Sequence, residues 1–450
     1  MILEKRLFGR AIWLNPLNGD FSFNKDELYA MEDCEVMPSP GYSRSLYKCL
    51  TFCLEISNSC NLDCSYCFSK KKDGKIMGVA EAEAYLDALF SFFPNAEKYF
   101  VDLSGNGEPL MNLGLIKEIS LYAKRKSDQI DREVTVCLVT NGTLLSRQMV
   151  AFLERNSVLY GVSLDGSCEK EDKNRVYRNG NPSFSDVFRN VSAIKNREYV
   201  GAAVTITKEV FPLVESLDRL SLLFKTISVK PVRSMEIGLD EKSLAGWNAE
   251  YDKLTRRIID DISKNDDGLL FRLLNGDDFF GKFIVRAYLH MKCLCRCDAG
   301  LGRFAVSMDG SIYPCPALGS SKGQAIGTAG GLIENRIMEN YSSILRRKNC
   351  GLCEFRWSCG GECLAESEMR GGVKNETMCA FKKHLALLGI FIVETSRLEY
   401  PAQYETILAF CKSKRDRQGE NKRPRAFLSG HRELTFTEGK KRFDSEFPSY

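Results

Sequence analysis

The distribution of cysteine constrains this chain more than any other feature of its sequence. The chain has 450 residues, with 18 cysteines but only three histidines. Three cysteines are Cys60, Cys64 and Cys67, and nine lie between Cys293 and Cys379. The amino terminus lacks a basic stretch followed by an apolar core, so we expect no secretion signal and a location in the reducing cytoplasm. Disulfides are not expected there, and the clustering favours metal ligands, either for iron–sulfur clusters or for zinc.

The remaining composition is that of an ordinary globular protein. Hydrophobic residues make up 44% of the chain and charged residues 27%, with a formal net charge of +4. The apolar run at 385–393 is too short to cross a bilayer, so we expect no membrane partner. The basic stretch 412–425 has no interleaved aromatic residues, so we interpret it as a solvated end rather than a nucleic-acid site.

Between the two cysteine groups, strand and helix patterns alternate. The predicted strands are 50–56, 99–103, 134–139, 159–164, 200–205 and 226–231. The predicted helices between them are 80–93, 113–125, 144–154, 184–195 and 213–224. Each connection is long enough for a parallel crossover, which predicts an α/β fold, either a doubly wound sheet or a barrel. Six units are too few for the eight-unit barrel, and in both cases ligands bind at the carboxyl ends of the strands.

Four of these strands end in segments that can bind a ligand. The first leads into Cys60–Cys67 and the second into a glycine-rich turn. The third ends at Asn141, and the fourth at Ser163 and Asp165. Because the strands are predicted to be parallel, all four segments share one edge. The glycine-rich turn is Gly105-Asn106-Gly107-Glu108-Pro109.

The first cysteine group has the spacing C-x3-C-x2-C. Three thiolates on one short loop can hold three irons of a four-iron cluster and leave the fourth iron open to a ligand. Three buried structural cysteines are the alternative. The spacing directly after a first strand favours the cluster.

This segment, 59–68, resembles the radical S-adenosylmethionine (SAM) enzymes. The resemblance implies a partial (β/α)6 barrel and a 4Fe–4S cluster whose open iron is chelated by SAM. It also implies reductive cleavage of SAM to a 5′-deoxyadenosyl radical, which abstracts hydrogen from unactivated carbon.

The same resemblance assigns SAM contacts to the shared edge. Glu108 is either the partner of the SAM amino group or a helix cap. Arg175 is either the partner of the SAM carboxylate or a surface residue, and Asn141 either a SAM contact or a turn residue. The implied SAM-binding residues are Gly105, Asn106, Gly107, Glu108, Pro109, Asn141, Ser163, Asp165 and Arg175.

The second cysteine group has an ordered spacing that continues to Cys379. A zinc ribbon usually has two C-x2-C pairs, and this group has one. The pattern resembles the SPASM extension of radical SAM enzymes, a small α+β domain with two auxiliary 4Fe–4S clusters. The resemblance implies three clusters in all. The first auxiliary set is Cys297, Cys315 and Cys363, and the second is Cys350, Cys353, Cys359 and Cys379.

The number of cluster ligands leaves one ligand of the auxiliary clusters unassigned. Two fully ligated clusters need eight protein ligands, and the pattern supplies seven. Either Cys293 or Cys295 supplies the eighth, with Cys293 preferred because Cys295 is very close to Cys297. Otherwise the first auxiliary cluster keeps an open iron for a substrate thiolate.

These features divide the chain into five predicted segments. Residues 1–48 form a short hairpin, with strands 6–14 and 21–23 around Asn18-Gly19, and a helix at 25–31; this segment is a possible substrate contact. Residues 49–240 form the barrel and 241–292 a helical bridge. Residues 293–395 form the SPASM domain, and 396–450 a helical and then loosely ordered basic tail.

The resemblance implies a peptide maturase that makes a thioether or carbon–carbon cross-link in a ribosomally synthesised precursor. A sulfatase-maturase-like oxidase that forms formylglycine is the alternative enzyme, and a zinc-binding interaction protein is the alternative outside enzymes. Implied partners are a precursor peptide or protein and an electron donor such as flavodoxin or ferredoxin. The sequence names no catalytic acid or base, since Asp277, Asp278, His290 and Tyr313 all have structural explanations.

Overall fold

The computed structural model of the chain describes residues 2–30, 49–67, 69, 74–266, 268–293, 295–319, 325–333 and 348–417. The strands, β1 to β13, are Leu3–Leu7, Arg10–Leu14, Phe21–Ser22, Cys49–Leu54, Lys98–Asp102, Glu133–Thr140, Leu159–Ser163, Val200–Ile206, Ile227–Pro231, Arg303–Val306, Ser311–Tyr313, Gly327–Thr328 and Gly331–Leu332. The helices, α1 to α15, are Lys25–Ala30, Val79–Phe92, Leu113–Ile130, Arg147–Arg155, Cys168–Asn174, Phe184–Ser192, Leu213–Ser221, Glu241–Ser263, Gly268–Asn275, Phe279–Tyr288, Lys348–Gly351, Arg356–Cys359, Leu364–Met369, Glu376–Glu399 and Pro401–Arg417. Within these ranges, no helix has the length and apolar character needed to span a membrane.

The centre of the molecule is an α/β partial barrel. Strands β4 to β9 lie side by side in chain order, and each pairs in parallel with the next. They correspond to the six predicted strands, so the predicted fold class is confirmed. Their carboxyl ends share one edge, as the motif positions require.

The two faces of the barrel strands have different partners. In β4, Phe52 packs against Phe90 of α2, with ring centroids 5.3 Å apart. Because side chains alternate along a strand, Cys53 points to the opposite face, the inside of the barrel. There its sulfur lies 3.7 Å from Asp102 and 3.6 Å from Arg303. The inside of the barrel is therefore partly polar, while the helix-facing side is apolar.

Strands β10 and β11 form a hairpin that extends the barrel sheet. Strand β10 pairs in parallel with β4, with Val306 opposite Leu54. Strands β11, β12 and β13 continue the same sheet in antiparallel order. The start of the cysteine-rich region is thus hydrogen-bonded to the first barrel strand.

The amino-terminal segment differs in part from its prediction. A single strand at 6–14 was wrong, because the chain turns at Phe8-Gly9, where φ is 49° and 82°. Strands β1 and β2 pair across this turn, and β2 also pairs with β3 around the predicted Asn18-Gly19 turn. Apolar residues lie close to the turn on both sides, which hid it in the pattern. Residues 31–48, including Cys34, lie outside the described residues.

Helices α8, α10 and α14 form a layer next to the barrel. The ring of Tyr251 in α8 lies 5.4 Å from both Phe280 of α10 and Phe381 of α14. Helix α14 also carries Cys379, so this packing ties a predicted iron ligand to the barrel side of the molecule. The basic tail is helical as far as Arg417, and the rest of it lies outside the described residues.

Candidate functional site

The three-cysteine loop begins where β4 ends. Cys60, Cys64 and Cys67 are all partly buried free thiols. The backbone N–H of Cys67 donates to the carbonyl of Cys64 at 3.1 Å, which closes a tight turn. The Cys67 thiol donates to the carbonyl of Ser69 at 3.6 Å. The loop therefore carries three free thiols at the carboxyl edge of the barrel.

The loop is held by the segment that follows α5. The Ser65 N–H donates to the Asn174 carbonyl at 2.9 Å, and the Asp63 N–H donates to the Val176 carbonyl at 2.8 Å. The Ser65 hydroxyl also donates to the Asn174 side chain at 2.8 Å. These bonds fix the backbone around Cys64 without using its thiol.

The glycine-rich turn packs directly on the cysteine loop. Gly107 has φ of +72°, and a Cβ there would overlap the Ser59 carbonyl and lie 2.9 Å from the Ser57 carbonyl. The next N–H, that of Glu108, donates to the Ser59 carbonyl at 2.6 Å. Only glycine allows this approach. The structure thus brings together two of the four predicted segments.

Glu108 is a buried acceptor within the protein. Its carboxylate accepts hydrogen bonds from Leu110 N–H at 3.1 Å, the Thr140 hydroxyl at 2.6 Å and Asn141 N–H at 2.7 Å. Burial raises the pKa of this carboxyl to about 7, although these bonds oppose the rise. It caps the short 3₁₀ turn that starts at Pro109, which is one of the two roles the sequence left open. A carboxylate offers about four acceptor sites, so one is left for a ligand.

Asn141 connects the third strand to the cysteine loop. Its amide nitrogen donates to Asn61 at 2.8 Å and lies 3.9 Å from the Cys60 sulfur. Its side-chain oxygen accepts from the Thr143 N–H at 3.0 Å, an Asx turn. Asn141 is therefore a turn residue that also contacts the predicted cluster loop.

Ser163 and Asp165 close the fourth strand. Ser163 is partly buried, and Asp165 is fully buried. Asp165 Oδ1 accepts from Thr205 N–H at 2.7 Å and from Arg175 Nη2 at 3.2 Å. Burial disfavours the charged carboxylate, but Arg175 and then Lys170 lower the pKa of Asp165 below its ordinary value.

Arg175 is buried, not a surface residue. Its Nε lies 3.0 Å from Glu171, and its guanidinium lies 5.1 Å from the ring of Tyr66, between two cysteines of the loop. Burial raises the pKa of Glu171 to about 8. Among the described residues the hydrogen bonds of Arg175 are made by Nη2, so the two N–H groups of Nη1 remain for a ligand carboxylate.

The second cysteine region forms two neighbourhoods. Cys315 and Cys363 pack against the same small apolar cluster, which includes Ala317. The guanidinium of Arg233, just beyond β9, interacts electrostatically with Cys363, Cys315 and Cys297. These are the three cysteines of the first auxiliary set. Sequence analysis missed Arg233, although its position after the last barrel strand is a usable signal.

The second neighbourhood is centred on Cys359. Its sulfur interacts electrostatically with those of Cys353 and Cys379, and Cys353 N–H donates to the Cys350 carbonyl at 3.1 Å. Cys293 also lies near Cys359. These five cysteines thus share one side of the region.

Cys295 lies near Cys297, and a glycine packs against its backbone. Its electrostatic neighbours are Cys297 and then Cys293. Gly360, with φ of +71°, packs so closely that a Cβ would overlap the Cys295 carbonyl. The two cysteines considered for the eighth ligand therefore face different groups, Cys293 towards Cys359 and Cys295 towards Cys297.

The donor chemistry fits iron–sulfur clusters. All seventeen described cysteines are free, and ten of them occupy the two predicted patterns. Across the described ranges, no group of three or more His, Cys, Asp or Glu side chains converges on a single metal position. The structure therefore groups the cysteine sulfurs in separate regions. The close packing of Gly107 shapes the loop that carries Cys60, Cys64 and Cys67.

Four other polar residues considered from the sequence have structural partners. Asp277 pairs with Lys230 at 2.6 Å, and Asp278 caps α10 through Gly281 N–H at 2.5 Å. His290 stacks on Phe21 with centroids 4.9 Å apart, and Tyr313 is buried in β11. None of the four lies among the motif residues described above.

A separate cavity of about 620 Å³ lies at the opposite, amino-terminal ends of the strands. Lys98, Glu133 and Leu159 are among the residues that line it. Because the motif residues all sit at the carboxyl ends, we assign the site to that edge.

Comparisons with known proteins agree with this placement. Residues 54–208 match the model of the Radical SAM superfamily. The cysteine-type anaerobic sulfatase-maturating enzyme of Clostridium novyi is 23% identical over 377 residues, which cover 77% of this chain and 95% of that one. The radical SAM cyclopropyl synthase TigE of Paramaledivibacter caminithermalis is 23% identical over 344 residues, covering 71% and 68%.

A solved structure has the same fold. The chain superposes on native anSMEcpe with bound AdoMet with a TM-score of 0.61 at 19% identity. AdoMet is another abbreviation for SAM. The match covers 78% of this chain and all of that one. The shared fold thus extends well beyond residues 54–208.

Proposed function

Because this chain belongs to the radical SAM superfamily and carries a SPASM-type extension, we propose that it is a peptide maturase that uses SAM to cross-link a ribosomally synthesised precursor. One observation carries the proposal, namely that the two cysteine regions meet at one edge of the barrel. Gly107 packs on the loop of Cys60, and a Cβ at Gly105 would lie 3.6 Å from Pro316, the residue after Cys315.

Three 4Fe–4S clusters and SAM are the cofactors of the proposed enzyme. Bound together, the first cluster and SAM supply a 5′-deoxyadenosyl radical. Cys60, Cys64 and Cys67 hold the first cluster, and the ligands of the auxiliary clusters include Cys293. The other auxiliary ligands are Cys297, Cys315, Cys350, Cys353, Cys359, Cys363 and Cys379.

The chain's own residues orient SAM beside the first cluster. The open acceptor site of Glu108 suits the SAM amino group, and Nη1 of Arg175 suits its carboxylate. Gly105, Asn106, Gly107 and Pro109 shape the glycine-rich side of the pocket. Asn141, Ser163 and Asp165 line the ends of the third and fourth strands.

The proposed substrate is a precursor peptide in which two residues become joined by a thioether or carbon–carbon bond. A flavodoxin or ferredoxin supplies electrons to the first cluster, in the reducing cytoplasm where the free thiols persist. Formation of either bond removes two hydrogen atoms from the peptide.

A second candidate is a sulfatase-maturase-like oxidase that forms formylglycine. It is favoured by the 95% of the Clostridium novyi enzyme's length that this chain matches. The two candidates differ in the product. A cross-link joins two residues of the peptide, whereas formylglycine is an aldehyde on a single residue.

The test uses the full chain, reconstituted anaerobically with iron and sulfide and supplied with SAM and dithionite. The probes are the short peptides encoded beside its gene and two synthetic sulfatase-type peptides, one with Cys and one with Ser. We expect about twelve irons per chain, as three four-iron clusters require. We also expect one neighbouring peptide to lose the mass of two hydrogens without reacting with an aldehyde-specific hydrazide.

Two results would contradict this proposal. Hydrazide-reactive product from a sulfatase-type peptide, with the neighbouring peptides unchanged, would establish the oxidase instead. Zinc with little iron would overturn both enzyme proposals in favour of a zinc-binding interaction protein. Treatment without SAM is the control for mass changes that do not need the radical.

A further inference from the structure

Glu55 is a carboxylate on the inner face of the barrel mouth. It follows β4 directly, and it continues the inward-facing series of Cys53 rather than the helix-facing series of Phe52. Its backbone N–H donates to the Val306 carbonyl of β10 at 3.0 Å. Glu55 therefore lies at the seam between the barrel and the cysteine-rich region.

Two loops close around the Glu55 side chain, which is only 5% exposed. Asn106, in the glycine-rich turn, makes a hydrogen bond to its carboxylate. A Cβ at Gly105 would lie 3.8 Å from Glu55 Cγ, and a Cβ at Gly319 would lie 2.7 Å from Glu55 Oε1. A side chain at Gly319 would therefore collide with the Glu55 carboxylate, whereas Gly105 makes ordinary contact with it. The carboxylate thus sits between the proposed SAM loop and the loop that follows Cys315.

Among the described residues, this carboxylate has no cationic partner. Of the described residues, Asn106 and Asp309 are the neighbours that act on it, and neither is a cation. Tyr313 is the other titratable group that faces it, from β11. Burial raises the pKa of Glu55 to about 7, against the opposing hydrogen bond from Asn106 and with a small addition from Asp309. A carboxylate in this state accepts a proton near neutral pH.

The other acidic groups near the edge already have partners. Glu108 accepts three hydrogen bonds. Asp165 and Glu171 are paired with Arg175, and Asp309 is exposed and caps its own hairpin turn through Ser311 N–H. Among these described carboxylates, Glu55 and Glu108 are buried without a cation, and Glu55 has the Asn106 hydrogen bond where Glu108 has three.

We propose that Glu55 is the proton acceptor of the reaction. This rests on the proposed function, in which the peptide loses two hydrogens. One carbon-bound hydrogen leaves as an atom to the 5′-deoxyadenosyl radical, giving 5′-deoxyadenosine. The partner group, a thiol or second carbon, gives its proton to Glu55 as the new bond forms. The remaining electron passes to an oxidised iron–sulfur cluster, so that two protons and two electrons are accounted for.

The experiment compares the wild-type chain with Glu55→Gln and Glu55→Asp, all reconstituted anaerobically. The probe is each neighbouring or sulfatase-type peptide described above. For Glu55→Gln we expect normal iron content and continued peptide-dependent 5′-deoxyadenosine formation, but product formation lower by about 100-fold or more. Glu55→Asp keeps a carboxylate and is expected to recover part of the product. Asp309→Asn, which alters a neighbouring exposed carboxylate, is the matched control and is expected to keep product formation.

A measurement on the wild type alone guards against a variant that does not reconstitute. Below about pH 7 Glu55 is protonated and cannot accept a proton. The ratio of product to 5′-deoxyadenosine is therefore expected to fall as pH drops through this value. A ratio independent of pH, or wild-type product from Glu55→Gln, would overturn the role of Glu55. Equal loss of product and 5′-deoxyadenosine would also overturn it, because that pattern indicates a structural defect. Failure of the wild type on every peptide would instead overturn the proposed function.

Discussion

The carboxylate of Glu108 joins two segments of the edge through a single buried side chain. Its bonds to Leu110, Thr140 and Asn141 link the glycine-rich turn to the end of β6. The neighbouring Gly107 places the same turn on the cysteine loop. Two adjacent residues thus position one loop against two others, one by hydrogen bonding and one by the absence of a side chain.

Glu108→Gln is expected to change how stability depends on pH. Because burial raises the pKa of Glu108 to about 7, the folded chain favours its protonated form. The protonated Glu108 contributes fully to stability below the pKa that this group has in the unfolded chain. That contribution is lost as pH rises through about 7. The loss is at most about 3 kcal/mol between pH about 4 and about 8.

The measurement is urea unfolding of the reconstituted chain at both ends of this pH range. The wild type should lose more stability on going to the higher pH than Glu108→Gln does. Glu405→Gln, at an exposed position of α15, is the control and should behave as wild type. An identical pH dependence in wild type and Glu108→Gln would contradict the prediction.

Gly107→Ala tests the packing of the glycine-rich turn. Alanine at φ of +72° would be strained by about 1 kcal/mol or more, and its Cβ would overlap the Ser59 carbonyl. The cysteine loop would have to move, so we expect lower stability, lower iron content and slower SAM cleavage. Gly180→Ala is a matched control, since Gly180 has φ of +83° with nothing within 4 Å of the added Cβ.

Equal losses in the two glycine variants would mean that backbone strain alone accounts for the effect. We expect Gly180→Ala to show the strain in its unfolding midpoint but to keep its iron and its SAM cleavage. The difference between the variants therefore isolates the contact between the turn and the cysteine loop.

At the level of elements, the sequence predicted the barrel well because its strands are short apolar segments between clear turns. Strands such as β4 and β8 have continuous apolar content and are bounded by turns, so their limits were found to within about two residues. The long helix α14 was not predicted, since buried residues occur all round it and leave no helical period. The Phe8-Gly9 turn was missed because apolar residues lie close to it on both sides.

Individual site residues were less predictable than the elements that carry them. The spacing identified the cysteine loop, but it could not show that Glu108 has three partners inside the protein. Glu55 was missed because a single acidic residue after an apolar strand has no motif. Its importance depends on Gly105 and Gly319, which are far apart in sequence and adjacent only in the folded chain.

Asp165→Asn tests the link between α5 and the barrel strands. Asp165 pairs with Arg175 and accepts the Thr205 N–H, so it connects α5 to β8. Neutralising it leaves a buried cation short of a partner, with an expected cost of about 3–5 kcal/mol. SAM affinity, measured by equilibrium dialysis on chain that remains folded, should also fall, because Asp165 holds the Arg175 guanidinium that is proposed to bind the SAM carboxylate.

Arg175→Lys is the companion variant. Lysine cannot reproduce the planar fork that contacts Asp165 and Glu171 while offering N–H groups elsewhere. We expect it to lower both unfolding stability and SAM affinity. Unchanged SAM affinity in a stably folded Arg175→Lys chain would remove Arg175 from the proposed SAM contacts and leave it a structural role.

At the scale of the whole molecule, the amino-terminal segment 2–30 packs against the last described segment, 348–417. The Trp357 indole donates to the Leu17 carbonyl at 2.9 Å, and Phe23 N–H donates to Glu394 of α14 at 3.1 Å. Arg397 pairs with Glu27 of α1 at 2.9 Å. The amino-terminal sheet is therefore packed on the second cysteine neighbourhood, which it helps to fix, in addition to any contact it makes with a substrate.

Because the cysteines lie in separate neighbourhoods, we expect iron to be lost one whole cluster at a time. Each cluster needs its full ligand set, so removing two ligands should release about four irons per chain. We expect this loss from Cys315→Ser with Cys363→Ser, and again from Cys353→Ser with Cys359→Ser, with the first cluster and its SAM-dependent EPR signal retained in both. Replacing Cys60, Cys64 and Cys67 should remove a different four irons together with SAM cleavage.

Cys293 is tested in the same series, with Cys295→Ser as its control two residues away. If Cys293 is an iron ligand, Cys293→Ser lowers iron content while Cys295→Ser does not. Because Cys293 lies near Cys359, we expect its EPR changes to follow those of the Cys353 and Cys359 pair. Changes that instead match the Cys315 and Cys363 pair would assign it to the first auxiliary cluster. Full iron in Cys293→Ser would show that one auxiliary cluster keeps an iron without a Cys293 ligand, open to a substrate thiolate.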